Sequence, residues 1–264
     1  MKKLLFFLMV LLLAACTNNM LDNNNNDVED EATGGNNIFL SCNQLLDVTG
    51  LELYPFVSFT DEEWKSMSYD YKLDMRQIPE DFLHRMSTKE LFYQIVNTDL
   101  SRNMLLYNMP EPYRRLNTVP ELLNRPDAGH VLLETLQKVD PSKMDGSECF
   151  WFDFCLRIFL AQPEVINGMT DMDVDDYIKH QLRCHDVIQK LSKAKNPNWE
   201  YPSSVRMILL GLGNVMIRYD FEPFIKTLDR NPVTNELIWH PQFVTEQRAL
   251  QVIDYVNQFK TWKK

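Results

Sequence analysis

Three regimes of hydrophobic patterning divide this chain. Leu4 to Leu13 is an unbroken apolar run behind Lys2 and Lys3. Its length suits a secretory leader and falls short of the roughly 20 residues that a spanning helix requires. Thr17 to Asn37 then holds almost nothing apolar, with eight asparagines, two glycines and five acids. Such a stretch cannot bury enough surface to order itself and reads as a flexible spacer. Between 38 and 59 short apolar runs alternate with Gly50 and Pro55, an irregular segment with room for one short strand or helix. From Thr60 onward helix signals become frequent.

Three capping boxes stand out: Thr60 with Glu63, Ser87 with Glu90, and Thr118 with Glu121. In each, the hydroxyl can accept the third backbone N–H while the glutamate returns to the cap's own amide. Met86 before Ser87 and Leu91 after it add a hydrophobic staple. The pattern predicts helices over 61–76, 79–86, 88–97, 100–108, 120–124, 127–139, 148–161, 173–193, 203–219, 221–229 and 245–260. Nine prolines, from Pro110 to Pro241, fall between these elements rather than inside them, as a stack of short helices needs. Short helices on short loops make antiparallel neighbours. The expected fold is therefore all-α, an irregular HEAT-like stack of helical hairpins, with a compact helical bundle as the alternative. The box starts at 60, 87 and 118 keep no fixed period, so this is not a true repeat.

Composition changes the picture at the amino terminus. The apolar run closes on Leu13-Ala14-Ala15-Cys16, which resembles the lipobox of bacterial lipoproteins. That resemblance implies a diacylglycerol on the Cys16 thiol, cleavage before it and acylation of the new amino terminus. The organisation expected is a signal peptide over 1–15, a lipidated acidic tether over 16–37 and one helical domain over 38–264. Thr17 stands where an aspartate would favour the inner membrane, so the outer membrane is the expected location. The tether's acids resemble an export signal for the outer face, although they begin only at Asp22.

Charge narrows the partners. Ten acids and no Lys or Arg lie between Thr17 and Trp64, whereas from Lys65 onward 27 acids face 25 bases. No basic stripe forms, which excludes nucleic acid. The membrane, through lipidated Cys16, and a protein or glycan ligand are the partners expected. Beyond Cys16, the cysteines Cys42, Cys149, Cys155 and Cys184 permit two disulfides in three connectivities. Cys149 and Cys155 point to different faces of one helix and should not pair with each other. Buried thiols are the alternative for all four.

Met86-Ser87-Thr88-Lys89-Glu90-Leu91, Leu106-Tyr107-Asn108 and Glu121-Leu122-Leu123-Asn124-Arg125-Pro126-Asp127-Ala128 together resemble a group of uncharacterised secreted lipoproteins of Bacteroidetes. The resemblance covers about 64–136 and departs at Pro110 to Arg115, where that group has a glycine-phenylalanine turn. It implies an α-helical fold and brings no activity and no site residues.

Candidate chemistry is sparse. The segment 149–160 is apolar nearly all round and belongs at the centre of the body. Within it Asp153 and Arg157 stand four apart, placed either to line a binding cleft or to form a structural ion pair. His180 and Cys184, one turn apart, invite a metal, but no further ligand cluster completes a site, and His185 shares an apolar stripe with Val174 and Ile178. Asp171, Asp173, Asp175 and Asp176 resemble the start of a calcium loop, yet Asp176 replaces its glycine and Leu182 its bidentate glutamate. First-turn acids favoured by a helix dipole explain them better. Gly211 and Gly213, with Met216 in the third place, suit close helix packing rather than a dinucleotide loop. Trp199 and Tyr201, beside Pro197 and Pro202, make an aromatic corner able to grip a sugar or peptide, or to plug the end of the core. No catalytic grouping, metal or cofactor is expected. A binding module leads. A hydrolase using paired carboxylates such as Asp153 or Asp171, or an envelope scaffold, is the alternative.

Overall fold

The computed structural model describes residues 39–98, 114–144, 146–194, 205–230 and 245–264. Cys16, the leader, the tether, the helix expected over 100–108 and the corner at Trp199 and Tyr201 lie outside the described residues. All described residues belong to one compact unit, Asn37–Lys264. They form helices and no strand, so the fold is all-α.

The helices in chain order are α1 (Cys42–Leu45), α2 (Asp61–Ser66), α3 (Tyr69–Asp74), α4 (Glu80–Leu83), α5 (Thr88–Val96), α6 (Thr118–Leu123) and α7 (Ala128–Leu136). A 3-10 turn at Pro141–Lys143 leads to α8 (Gly146–Leu160), α9 (Pro163–Gly168), α10 (Asp171–Lys193), α11 (Arg206–Arg218), α12 (Glu222–Arg230) and α13 (Glu246–Trp262). Helices α7 and α8, and α11 and α12, adjacent in sequence, pack on each other, as do α5 and α6. Helix α8 lies at the centre, touching α1, α7, α9 and α11. Cys149, Phe152, Cys155, Leu156, Phe159 and Leu160 of α8 are wholly buried, as an all-apolar helix requires.

Local chemistry sets most helix starts. The Thr60 hydroxyl accepts the Glu63 amide while Glu63 takes the Thr60 amide at 2.8 Å. Ser87 and Glu90 repeat this at α5. The helix expected over 61–76 is two helices: Met67 is extended, and the Ser68 hydroxyl accepts the Tyr71 amide and opens α3. The box at Thr118 does not form. Thr118 is buried inside the first turn of α6, and the residue before it, Asn117, pairs with the Ile78 backbone in both directions at 2.6 and 3.1 Å. Glu121 turns instead to Arg125 at 2.7 Å. Conversely, α10 starts two residues earlier than the pattern predicts, because Thr170 and Asp173 form a capping box.

The C-terminus of α11 closes with a left-handed residue, Asp220 at φ 50°. Its N–H reaches the Ile217 carbonyl and the Phe221 N–H the Met216 carbonyl, both at 3.0 Å. That is the double-bonded helix end that glycine usually supplies, and it swings Phe221 onto Phe259 of α13 at 5.5 Å. Gly211, on the other side of α11, lets the Tyr177 ring lie on bare backbone: a β-carbon there would stand 1.9 Å from the hydroxyl. The close packing expected of this glycine is what the helices use.

Residues 39–57 form a strap rather than a strand, with α1 as its one helical turn. A disulfide joins Cys42 to Cys149 with the α-carbons 5.6 Å apart, closing a loop of 107 residues onto α8. Cys155 and Cys184 are buried outside this bond.

Candidate functional site

Among the described residues, the charged side chains marked by the sequence gather into two polar constellations, one inside and one on the surface. The inner one contains the Asp153–Arg157 pair. Arg157 Nε donates to both Asp153 oxygens at 2.9 and 2.8 Å, and its Nη1 donates to Gln181 Oε1 at 2.6 Å. Asp153 is 7% exposed and Arg157 2%, so this pair does not present a binding surface. The physical reason is the helix around it. With apolar residues on every other face of α8, the two charges satisfy each other inside rather than on a wet edge.

Tyr177, His180 and Cys184 of α10 complete the interior group, with the Cys184 sulfur 3.3 Å from His180 Nε2. Burial pushes His180 down to about 3, assisted by the positive charges of Arg157 and Arg183, so the ring is neutral. Burial raises the Cys184 thiol and takes the Tyr177 phenol up to about 12. Burial also opposes the Arg157 charge, but the Asp153 carboxylate outweighs it and holds the guanidinium ionised. The group therefore holds one matched ion pair among neutral side chains, an arrangement that fixes α8 against α10. Among the described residues no three His, Cys, Asp or Glu side chains gather closely enough to hold a metal.

The surface constellation is built at the start of α10, where three elements deliver side chains to alternate acids. From α7, His130 Nδ1 lies 2.9 Å from Asp173 Oδ1, and its Nε2 lies 3.5 Å from Glu134. The hydroxyl of Tyr219, just past α11, donates to Asp171. Lys263, just past α13, reaches Asp175 at 2.6 Å and stands 4.9 Å above the Tyr219 ring. Arg218 donates to the carbonyls of Ile166 and Met169 on either side of the α9 end. Three of the four acids read as a failed calcium loop, Asp171, Asp173 and Asp175, are thus bound to a side chain from elsewhere in the fold.

Electrostatics follow from those contacts. The Asp173 hydrogen bond raises the His130 imidazole above its ordinary value. Burial pushes Asp173 upward, yet the bonds from His130 and Thr170 hold the carboxyl below the usual range. The Tyr219 hydroxyl lowers Asp171. For Lys263, burial works against the charge and the Asp175 bond overrides it, raising the ammonium. Two apolar side chains stand beside this polar rim in sequence: Met172, next to Asp171, is 72% exposed, and Trp262, next to Lys263, is 55% exposed while its ring rests on Phe221 and Phe259 at 5.4 and 5.7 Å.

Sequence reasoning recognised the acids and missed their partners, since 43 residues separate His130 from Asp173 and 88 separate Lys263 from Asp175. A carboxylate pair does line a cavity, at Glu52 and Glu90 with Phe82, Arg85 and Met86, but its volume is about 10 Å³. That is room for one water, and Glu90 is already engaged by Ser87 and by the Glu52 amide. Comparison with protein-family models, curated proteins and solved structures finds no match.

Proposed function

We propose that the protein is exported, acylated at Cys16 and held at the outer membrane with its helical domain facing outward, where it binds a protein or glycan partner. The observation that carries the export half is the Cys42–Cys149 disulfide, because such bonds persist in oxidising compartments and are rare in the cytosol. It agrees with the lipobox at Leu13-Ala14-Ala15-Cys16 and with the acidic tether. The resemblance to Bacteroidetes lipoproteins supports the same reading.

The contact half rests on the surface at the start of α10. Met172 and Trp262 are large exposed apolar side chains next in sequence to Asp171 and Lys263, two members of the polar group that also holds Asp175 and Tyr219. An apolar centre with aromatic anchors and a polar border is how recognition surfaces are built. The hydrolase alternative finds less support: Asp153 is committed to Arg157, Asp171 to Tyr219, and the cavity at Glu52 and Glu90 has room for no more than a water.

The test is a screen of the mature protein on glycan arrays and in pull-downs from envelope extracts. A saturable partner weakened about tenfold or more by Met172→Asp or Trp262→Ala is expected, the size of a single hot-spot loss. Repeatedly blank screens with the intact protein would count against a binding role. A stoichiometric complex in mild detergent that ignores both substitutions would favour the scaffold reading instead.

A further inference from the structure

The strap at 39–57 is held differently from everything beneath it. Leu45 is its one buried residue among those described. Its polar contacts go mainly to side chains of α5: the Glu52 amide donates to Glu90 at 2.9 Å, the Tyr54 amide to Gln94 Oε1 at 2.7 Å, and the Tyr93 hydroxyl donates to the Leu45 carbonyl at 2.7 Å. The Leu40 amide meets the Lys138 carbonyl at 3.0 Å. At the far end Arg76 Nη1 donates to the Val57 carbonyl at 3.3 Å, and the guanidinium lies 5.1 Å from the Phe56 ring and 4.5 Å from Trp64. By contrast α8 also packs on α7, α9 and α11, none of which belongs to the strap. Leu40, Leu46, Leu51, Leu53, Tyr54 and Phe56 pack against the core only part-buried, so this peripheral segment lies nearer the low-stability end of the fold than the fully buried helices beneath it.

We propose that Cys42–Cys149 is a redox-controlled clasp. Closed, it holds the strap on α5 and α8; reduced, it lets residues 39–57 swing open about the Arg76 end while the helices beneath stay folded. Opening bares Tyr93 and Gln94, so the redox state of the surroundings decides which face of α5 the domain offers. The clasp belongs to the domain and operates whether or not Cys16 is acylated.

The exchange chemistry fits the burial of the two cysteines. Cys42 as a residue is partly exposed and Cys149 is buried, so the Cys42 side of the bond is the one an incoming dithiol approaches. Its thiolate attacks there, the protein S–S bond breaks, and the electron pair leaves on Cys149, which takes a proton. The dithiol's second thiolate then attacks the mixed disulfide and releases Cys42 as a thiol. The protein gains the two electrons and two protons that the dithiol loses as it closes to its own disulfide.

Hydrogen exchange on the purified full chain, oxidised or treated with dithiothreitol, tests this. Reduction should speed exchange of the 39–57 amides about tenfold or more, with rates insensitive to low urea, as local opening requires. Amides of α8, α10 and α11 should stay protected in the same sample. The Cys42→Ser/Cys149→Ser variant should match the reduced protein without any reductant. Unchanged protection in the strap would overturn the clasp. So would loss of protection in strap and core together, or a double variant that cannot fold, since either means that the bond holds the whole domain.

Discussion

Arg157 lies along its helix so that one nitrogen, Nε, faces both oxygens of Asp153 a turn away, with neither side chain open to water. Attraction between the charges offsets the desolvation of both, and the balance holds only while the pair is intact. Asp153→Ala leaves a guanidinium buried without its counter-charge and should cost about 3–5 kcal/mol. Replacing both residues with Leu and Met should be far less damaging than the single change. Urea denaturation of the three proteins decides it, and a neutral Asp153→Ala would show that the pair is wet.

Gly211 offers a second packing test. Alanine there would meet the Tyr177 hydroxyl at 1.9 Å and its ring at 3.0 Å. Gly211→Ala should therefore destabilise by about 1–3 kcal/mol, an overpacking cost that outweighs alanine's better helix propensity. Tyr177→Phe removes the nearest atom, so the double variant should lose less than the sum of the singles. Strict additivity in thermal melts would place the two residues apart.

These two contacts also mark what the chain discloses before it folds. Gly211, the apolar ring of 149–160 and the boxes at Thr60 and Ser87 are legible because their causes lie within one or two helical turns. Met67 and Ser68 split a predicted helix because Ser68 caps without the glutamate that would have announced it. Thr118 misled because Asn117 finds the backbone of Ile78, 39 residues away. The partner of Cys42 and the hub at Asp171 to Asp175 were illegible for the same reason: spacing carries no information about which distant helix ends meet.

The His130–Asp173 contact makes stability depend on pH with a defined sign. His130 has a folded pKa above its unfolded value, so its contribution is full below about 6.5 and fades as pH rises through the folded value. Asp173 has a folded pKa below its unfolded value, so its contribution is full above about 3.9 and fades as pH falls through the folded value. The contact is strongest between roughly pH 4 and 6.5. His130 is over half exposed, so screening limits the effect to about 0.2–1 kcal/mol. His130→Gln should therefore lower the melting temperature more at pH 5.5 than at pH 8.5. An equal loss at both would remove the charge from the account.

Anchoring predicts a separation between location and stability. Each acyl methylene buried in a bilayer contributes about 0.8 kcal/mol, and stable attachment takes more than one chain. All of that would reside at Cys16, whereas the core runs from Leu45 to Phe259. Cys16→Ser should thus move the protein from the membrane fraction to the soluble periplasm or medium while leaving its melting temperature unchanged. Mass spectrometry of the parent should find the mature chain beginning at Cys16 and carrying acyl groups. A mature protein that still begins at Met1, or a Cys16→Ser variant that stays with the membrane, would detach the domain from the lipid and leave the disulfide as the remaining support for export.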